Sequence, residues 1–183
     1  MAGIKEYRKI SALRGLCRFL VDERHIEQSP MKGIALYPTK RVRHEGLPQD
    51  DVTLILAAPD TSTLRGMRDR AMLTVLVTTN IKANELVHLT IHDVSCDMRL
   101  LRVGKRFVAL AETTRAPLAA YLSTVRPPWA HRMDTGHLFL TNHGRGMTRQ
   151  GLWKLVTRHA LAALQKSISP EGLRRAGASA TEG

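Results

Sequence analysis

The chain has 183 residues, with 28 lysines and arginines against 16 aspartates and glutamates, for a formal net charge of +12. That length suits one domain of ordinary size, or one domain with part of a second, and 43% hydrophobic residues supply a core, which excludes wholesale disorder. Aromatic content of 4% speaks against base-stacking platforms for single-stranded nucleic acid, and the longest apolar stretch, Ala71 to Val77, falls far short of a membrane span.

In chain order, residues 4–23 carry Ile10, Leu13, Cys17, Leu20 and Val21 at helical spacing, and Ser29-Pro30 closes that segment because the residue before proline leaves the α region. From Gly33 to Gly46 no period survives, and Lys40, Arg41 and Arg43 cluster there, which predicts a basic linker. Asp50 and Asp51 open a helix that Pro59 ends. A second helix covers Leu64 to Thr78, with Asn80 tolerant of the left-handed turn after it. A short helix is expected from Asn84, as N-cap, to Leu89. Leu100–Val103 and Phe107–Leu110 flank Gly104-Lys105 as a small hairpin. Thr113–Val125 reads as a helix with Pro117 near its start, stopped by Pro127-Pro128. His137–Leu140 is a third short strand. Thr148 caps a helix to about Leu164, with Trp153 as a core anchor, and Ser169-Pro170-Glu171 starts one more. Helices dominate, with one small antiparallel sheet: an α-rich α+β chain.

Distributed positive charge on a foldable chain suits a surface laid along a phosphate backbone, and solvated faces are the alternative for many of these residues. Cys17 and Cys96 form no C-x-x-C pair, and the opening residues show no signal-peptide pattern. Neither a zinc knuckle nor a disulfide scaffold is expected, and the expected setting is cytoplasmic. The histidines are scattered, no Gly-rich phosphate loop or G-x-S-x-G is present, and no metal, cofactor, membrane or small-molecule substrate is anticipated. Double-stranded DNA is the expected partner.

Arg68-Asp69-Arg70-Ala71-Met72-Leu73, Thr79-Asn80-Ile81-Lys82-Ala83-Asn84-Glu85-Leu86, Thr148-Arg149-Gln150-Gly151-Leu152-Trp153 and Ser169-Pro170-Glu171-Gly172-Leu173-Arg174 succeed one another at spacings that resemble the tyrosine recombinases, the phage-type integrases and Xer-like enzymes. Lys9 to Arg14 with Phe19 to Val21 is similar to the last part of their N-terminal DNA clamp. The resemblance implies residues 1–33 as partial clamp helices, 34–47 as linker and 48–183 as a catalytic-type domain. It implies a tyrosine that attacks a DNA phosphate, with arginines, a histidine and a hairpin lysine stabilising charge and protonating the leaving oxygen.

Position by position, Lys82 stands where the family has its first arginine, keeping the charge but not the planar fork. Lys105 matches the hairpin lysine, on a hairpin shortened by several residues. Glu171 replaces the histidine, an anion where a phosphate would sit. Arg174 is the second arginine, and Arg175 replaces the histidine beside it. The family's later box and its tyrosine lie beyond the last residue given. Tyr7, Tyr37 and Tyr121 read as structural, and Lys40, Arg41, Arg43, Arg149 and Arg175 as DNA contacts. The expectation is a truncated, degenerate recombinase that binds duplex DNA without cleaving it. A regulatory protein competing with a full-length recombinase, or a mobile-element remnant without a role, remain alternatives.

Overall fold

The computed structural model describes residues 4–34, 47–133 and 135–179. Two compact units make up the chain, Met1–His44 and Glu45–Gly183. In the first, α1 (Ile4–Asp22) ends where Arg24 turns left-handed at φ 59°. Cys17 is buried and Ile10, Leu20 and Val21 are half-buried. Leu13, expected on the same side, is instead exposed, as are Leu16 and Phe19.

The second unit is built around α3 (Leu64–Thr78). Thr63 caps it by accepting a hydrogen bond from the Gly66 amide at 3.0 Å. Ten of its residues are buried, so it is enclosed on nearly every side and is wrapped by neighbours. Those neighbours are α2 (Gln49–Ala57), α5 (Glu112–Ala120) and α8 (Pro170–Ser179), with α4 (Ala83–His88) at its C-terminal end. α7 (Arg149–Leu164) lies against α2, α4 and α8. Leu100–Val103 (β1) and Arg106–Ala109 (β2) form an antiparallel pair, Val103 opposite Arg106 across the two-residue turn Gly104-Lys105. The expected helix-rich fold with one small sheet is what the chain adopts. No described helix is long and apolar enough to cross a membrane.

Four further expectations fail, each for a local reason. Lys82, not Asn84, is the N-cap of α4, because the Glu85 carboxylate reaches back to the Lys82 amide at 2.7 Å. Pro127-Pro128 does not stop the helix: a π-helical turn over Tyr121–Val125 precedes α6 (Arg126–Ala130), and the prolines fall in its first turn, where a missing N–H costs nothing. The extra residue of the π turn rotates the downstream residues by about 100°, so that Tyr121, Arg126 and Trp129 are all buried. His137–Leu140 joins no sheet and makes only isolated bridges. Three of its four carbonyls are taken by side chains: Arg126 donates to His137 O at 3.0 Å, Tyr121 to Leu138 O at 3.0 Å and Arg68 to Leu140 O at 3.3 Å. Trp153 is 49% exposed, and the buried tryptophan is Trp129. Leu152, Leu155, Val156, His159 and Ala160 form the buried stripe of α7. Trp153 lies about 100° beyond Leu152, at its edge, and Leu161, also exposed, about 180° away.

Asp69 sits on α3 with its side chain 1% exposed. Arg68 contacts its Oδ1 through Nε at 2.8 Å and Nη2 at 2.6 Å. On the other oxygen, His159 Nε2 lies at 2.9 Å and Arg158 also pairs. Burial works to raise the Asp69 pKa, but His159, Arg68 and Arg158 together outweigh it and hold the carboxyl below its ordinary 3.8. Stability from this group is therefore complete above pH 3.8 and lost as pH falls below it. Asp69→Asn leaves the buried Arg68 without its counter-charge and is expected to cost about 3–5 kcal/mol in urea-melt stability at neutral pH. An Asn variant as stable as wild type would show that the cluster is energetically neutral.

Candidate functional site

The loop after α3, the start of α4, the hairpin and α8 bring charged side chains together at one place on the second unit. Thr79 closes α3 and Asn80 turns left-handed at φ 50°, so the chain reverses, setting Asn80 against α8 and Lys82 at the start of α4. Ser169 caps α8, its Oγ accepting from the Gly172 amide at 3.1 Å. Gly177 seats it: a Cβ there would lie 2.0 Å from the Val77 carbonyl, so α8 meets the end of α3 at backbone contact. One turn before Gly177, Arg174 then faces Asn80.

All three guanidinium nitrogens of Arg174 are occupied. Nε and Nη2 donate to the two Glu171 oxygens at 2.9 and 2.7 Å, and Nη1 donates to Asn80 O at 3.3 Å and to its Oδ1. Arg175 Nε adds a 3.0 Å bond to Glu171. Hydrogen bonding by Arg174 holds the Glu171 carboxyl down at about 2 against the opposing effect of burial, with Arg175 adding to the lowering. The Glu171 bonds raise the Arg174 pKa, and the nearby Glu85 charge adds to that. Glu85 receives the Lys82 amide and, on the same oxygen, Arg106 Nη2 at 3.0 Å. Arg106 is thus paired with Glu85, and Arg174 and Arg175 with Glu171; with the Lys82 side chain exposed at the start of α4, cations outnumber carboxylates on this open surface.

Of the residues singled out from sequence, Lys82, Glu171, Arg174 and Arg175 meet here. Lys105 is exposed at the hairpin tip. Arg149 opens α7, exposed and in no ion pair with a described residue. Lys40, Arg41 and Arg43 lie outside the described residues. Tyr121 is buried among α3 and α5 with its hydroxyl donating to Leu138 O and accepting from the Leu140 amide at 2.9 Å. Burial pushes its pKa up to about 12. Sequence reading missed Arg106 and the grip of Asn80. Arg106 was findable, since cross-strand partners share a face and its partner Val103 is apolar. Among the described residues no group of three or more His, Cys, Asp or Glu side chains could hold a metal.

The Glu171 pairing is expected to titrate with a midpoint near pH 2 by carboxyl NMR, its stabilisation complete above 4.5 and lost as pH falls toward 2; an unshifted midpoint would mean that the ion pair does not persist in solution. Gly177→Ala is expected to lower stability by ~1–3 kcal/mol. Gly172→Ala, whose Cβ meets Ser169 Oγ at 3.4 Å, is expected to be tolerated in the same thermal melts. Equal melts would remove the close α3–α8 contact as the element that seats Arg174.

Residues 45–181 match the Phage integrase family. Tyrosine recombinase XerD of Staphylococcus epidermidis is 34% identical over 173 residues, covering 91% of this chain and 59% of that protein; the Staphylococcus aureus XerD is 31% identical over the same spans. The chain thus spans about three fifths of the length of these curated relatives. Among solved structures, XerA recombinase superposes with a TM-score of 0.66 at 23% identity, covering 100% of this chain and 62% of that one. The Tn1549 transposon integrase in complex with circular intermediate DNA gives 0.74 at 14% identity, covering 96% and 66%.

Proposed function

The chain belongs to the phage integrase family of tyrosine recombinases, and from that premise we propose that these 183 residues bind duplex DNA through the cationic site and carry out no strand cleavage of their own. The carrying observation is the closure of Arg174. A phosphate in a cleavage site is gripped by a guanidinium fork presenting two N–H groups to two oxygens. Here Glu171 occupies that fork with an anion and Asn80 takes the remaining nitrogen. Lys82, at the family's first arginine position, offers a point charge without a fork. Tyr121, whose hydroxyl is buried and bonded on both sides, is not an available nucleophile.

What remains suits non-specific contact with a phosphate backbone. The net charge of +12 and the exposed cations at the site supply attraction that needs no base reading. The family chemistry keeps bond energy in a phosphotyrosine, so no cofactor enters this reading. On the same premise, residues 1–33 are part of a DNA-clamp domain, 34–47 a basic linker and 48–183 the catalytic-type domain. XerH recombinase bound to palindromic difH substrate and a lambda integrase dimer bound to a COC' core site are structural neighbours of this chain, and they support DNA as the partner.

Fluorescence anisotropy of a labelled random duplex across a salt series is expected to give dissociation constants of ~10⁻⁶ to 10⁻⁴ M at physiological salt, with a log–log slope near −0.9 for each phosphate neutralised. Absence of binding at low salt would overturn the duplex reading. A nicked suicide duplex is expected to yield no covalent adduct on denaturing gels. An adduct would instead make the chain an active nuclease-ligase, and mapping its tyrosine would locate the nucleophile.

A further inference from the structure

We propose that Arg106, and not Lys105, is the hairpin residue that grips a DNA phosphate at this site, an inference that rests on the duplex-binding reading above. The turn decides which cation faces inward. With only Gly104-Lys105 between the strands, Val103 and Arg106 are direct cross-strand partners and share one face of the hairpin. That face is the packed one: Val103 and Leu101 are buried and Val108 half-buried. Phe107, on the opposite face, is 68% exposed, and Lys105 stands at the tip.

Glu85 aims the guanidinium. Its Oε2 takes Arg106 Nη2 at 3.0 Å and the Lys82 amide at 2.7 Å, fixing Arg106 to the residue at the family's first arginine position. This is the Arg106 side chain's single hydrogen bond to a described residue, and the side chain remains 53% exposed. Glu85 takes one of the two Nη2 N–H groups, so the other, together with the neighbouring N–H of Nε or Nη1, forms a planar edge open to a ligand. Arg174, whose three guanidinium nitrogens are all engaged, has no such edge, whereas Arg106 keeps one to offer. Two N–H groups on a plane match two non-bridging phosphate oxygens, a geometry that the Lys105 ammonium lacks.

The test is salt-titrated anisotropy on wild type, Arg106→Gln, Arg106→Lys and Lys105→Gln, with circular dichroism and melts confirming folded protein. Arg106→Gln is expected to reduce the magnitude of the log–log slope by ~0.9, one phosphate, and to weaken low-salt binding roughly five- to tenfold. Arg106→Lys should keep the slope while losing part of the affinity, because charge survives and the fork does not. Lys105→Gln should change the slope by less than half as much as Arg106→Gln. A wild-type slope in folded Arg106→Gln, or a loss confined to Lys105→Gln, overturns the assignment while leaving duplex binding intact. Failure of the wild type to bind overturns both. Should Arg106→Gln not fold, Arg106→Lys decides: affinity equal to wild type overturns the fork.

Discussion

Asp69 is a charge buried in the most enclosed helix of the second unit, and the packing around it arises from satisfying that charge. An unpaired carboxylate at this depth costs several kcal/mol, so neighbours must bring donors to it. Arg68 does so from the preceding residue, and Arg158 and His159 do so from α7. α7 is therefore bound to α3 in one rotational setting, which puts Leu152, Leu155 and Val156 into the core and leaves Trp153 at the rim. Arg68 also lies 5.5 Å from the Trp129 ring centroid and donates to Leu140 O. One ionised group thereby links α3, α6, α7 and the 137–140 segment.

A second carboxylate–arginine association, Glu171 with Arg174, uses the same chemistry with the opposite effect. At Asp69 the pairing assembles the interior. At Glu171 it consumes the donors of a residue at the surface, where they would otherwise face solvent. A guanidinium has a limited set of N–H groups, and each one bound within the chain is withdrawn from recognition. Glu171 therefore acts at two positions, placing a carboxylate at its own and holding the donors of Arg174.

Much of this was legible in the sequence because short-range chemistry wrote it there. Thr63, Thr148 and Ser169 place the starts of α3, α7 and α8, since a cap acts on the amides two or three residues away. Gly104 at φ 62° marks the hairpin turn for the same reason. The parts that were not legible depend on partners distant in the chain. His137–Leu140 has the composition of a strand, yet its carbonyls are met by Tyr121, Arg126 and Arg68. Proline at 127 and 128 signals a stop only while the helix keeps one register, and a π turn had already reset it. The grip of Asn80 on Arg174 spans 94 positions; residue 80 by itself announces only a left-handed turn.

That π turn has a further consequence for how this helix tolerates change. The segment Tyr121–Val125 holds one residue more than an α-helical turn would, and everything downstream is out of phase with everything upstream, much as lattice planes are offset across a dislocation. Substitution within the turn disturbs one side chain. Loss of a single residue would rephase the remainder, turning Arg126 and Trp129 away from the core and drawing the two prolines into a register that demands their missing amides. In this stretch the count of residues carries more structural information than their identity.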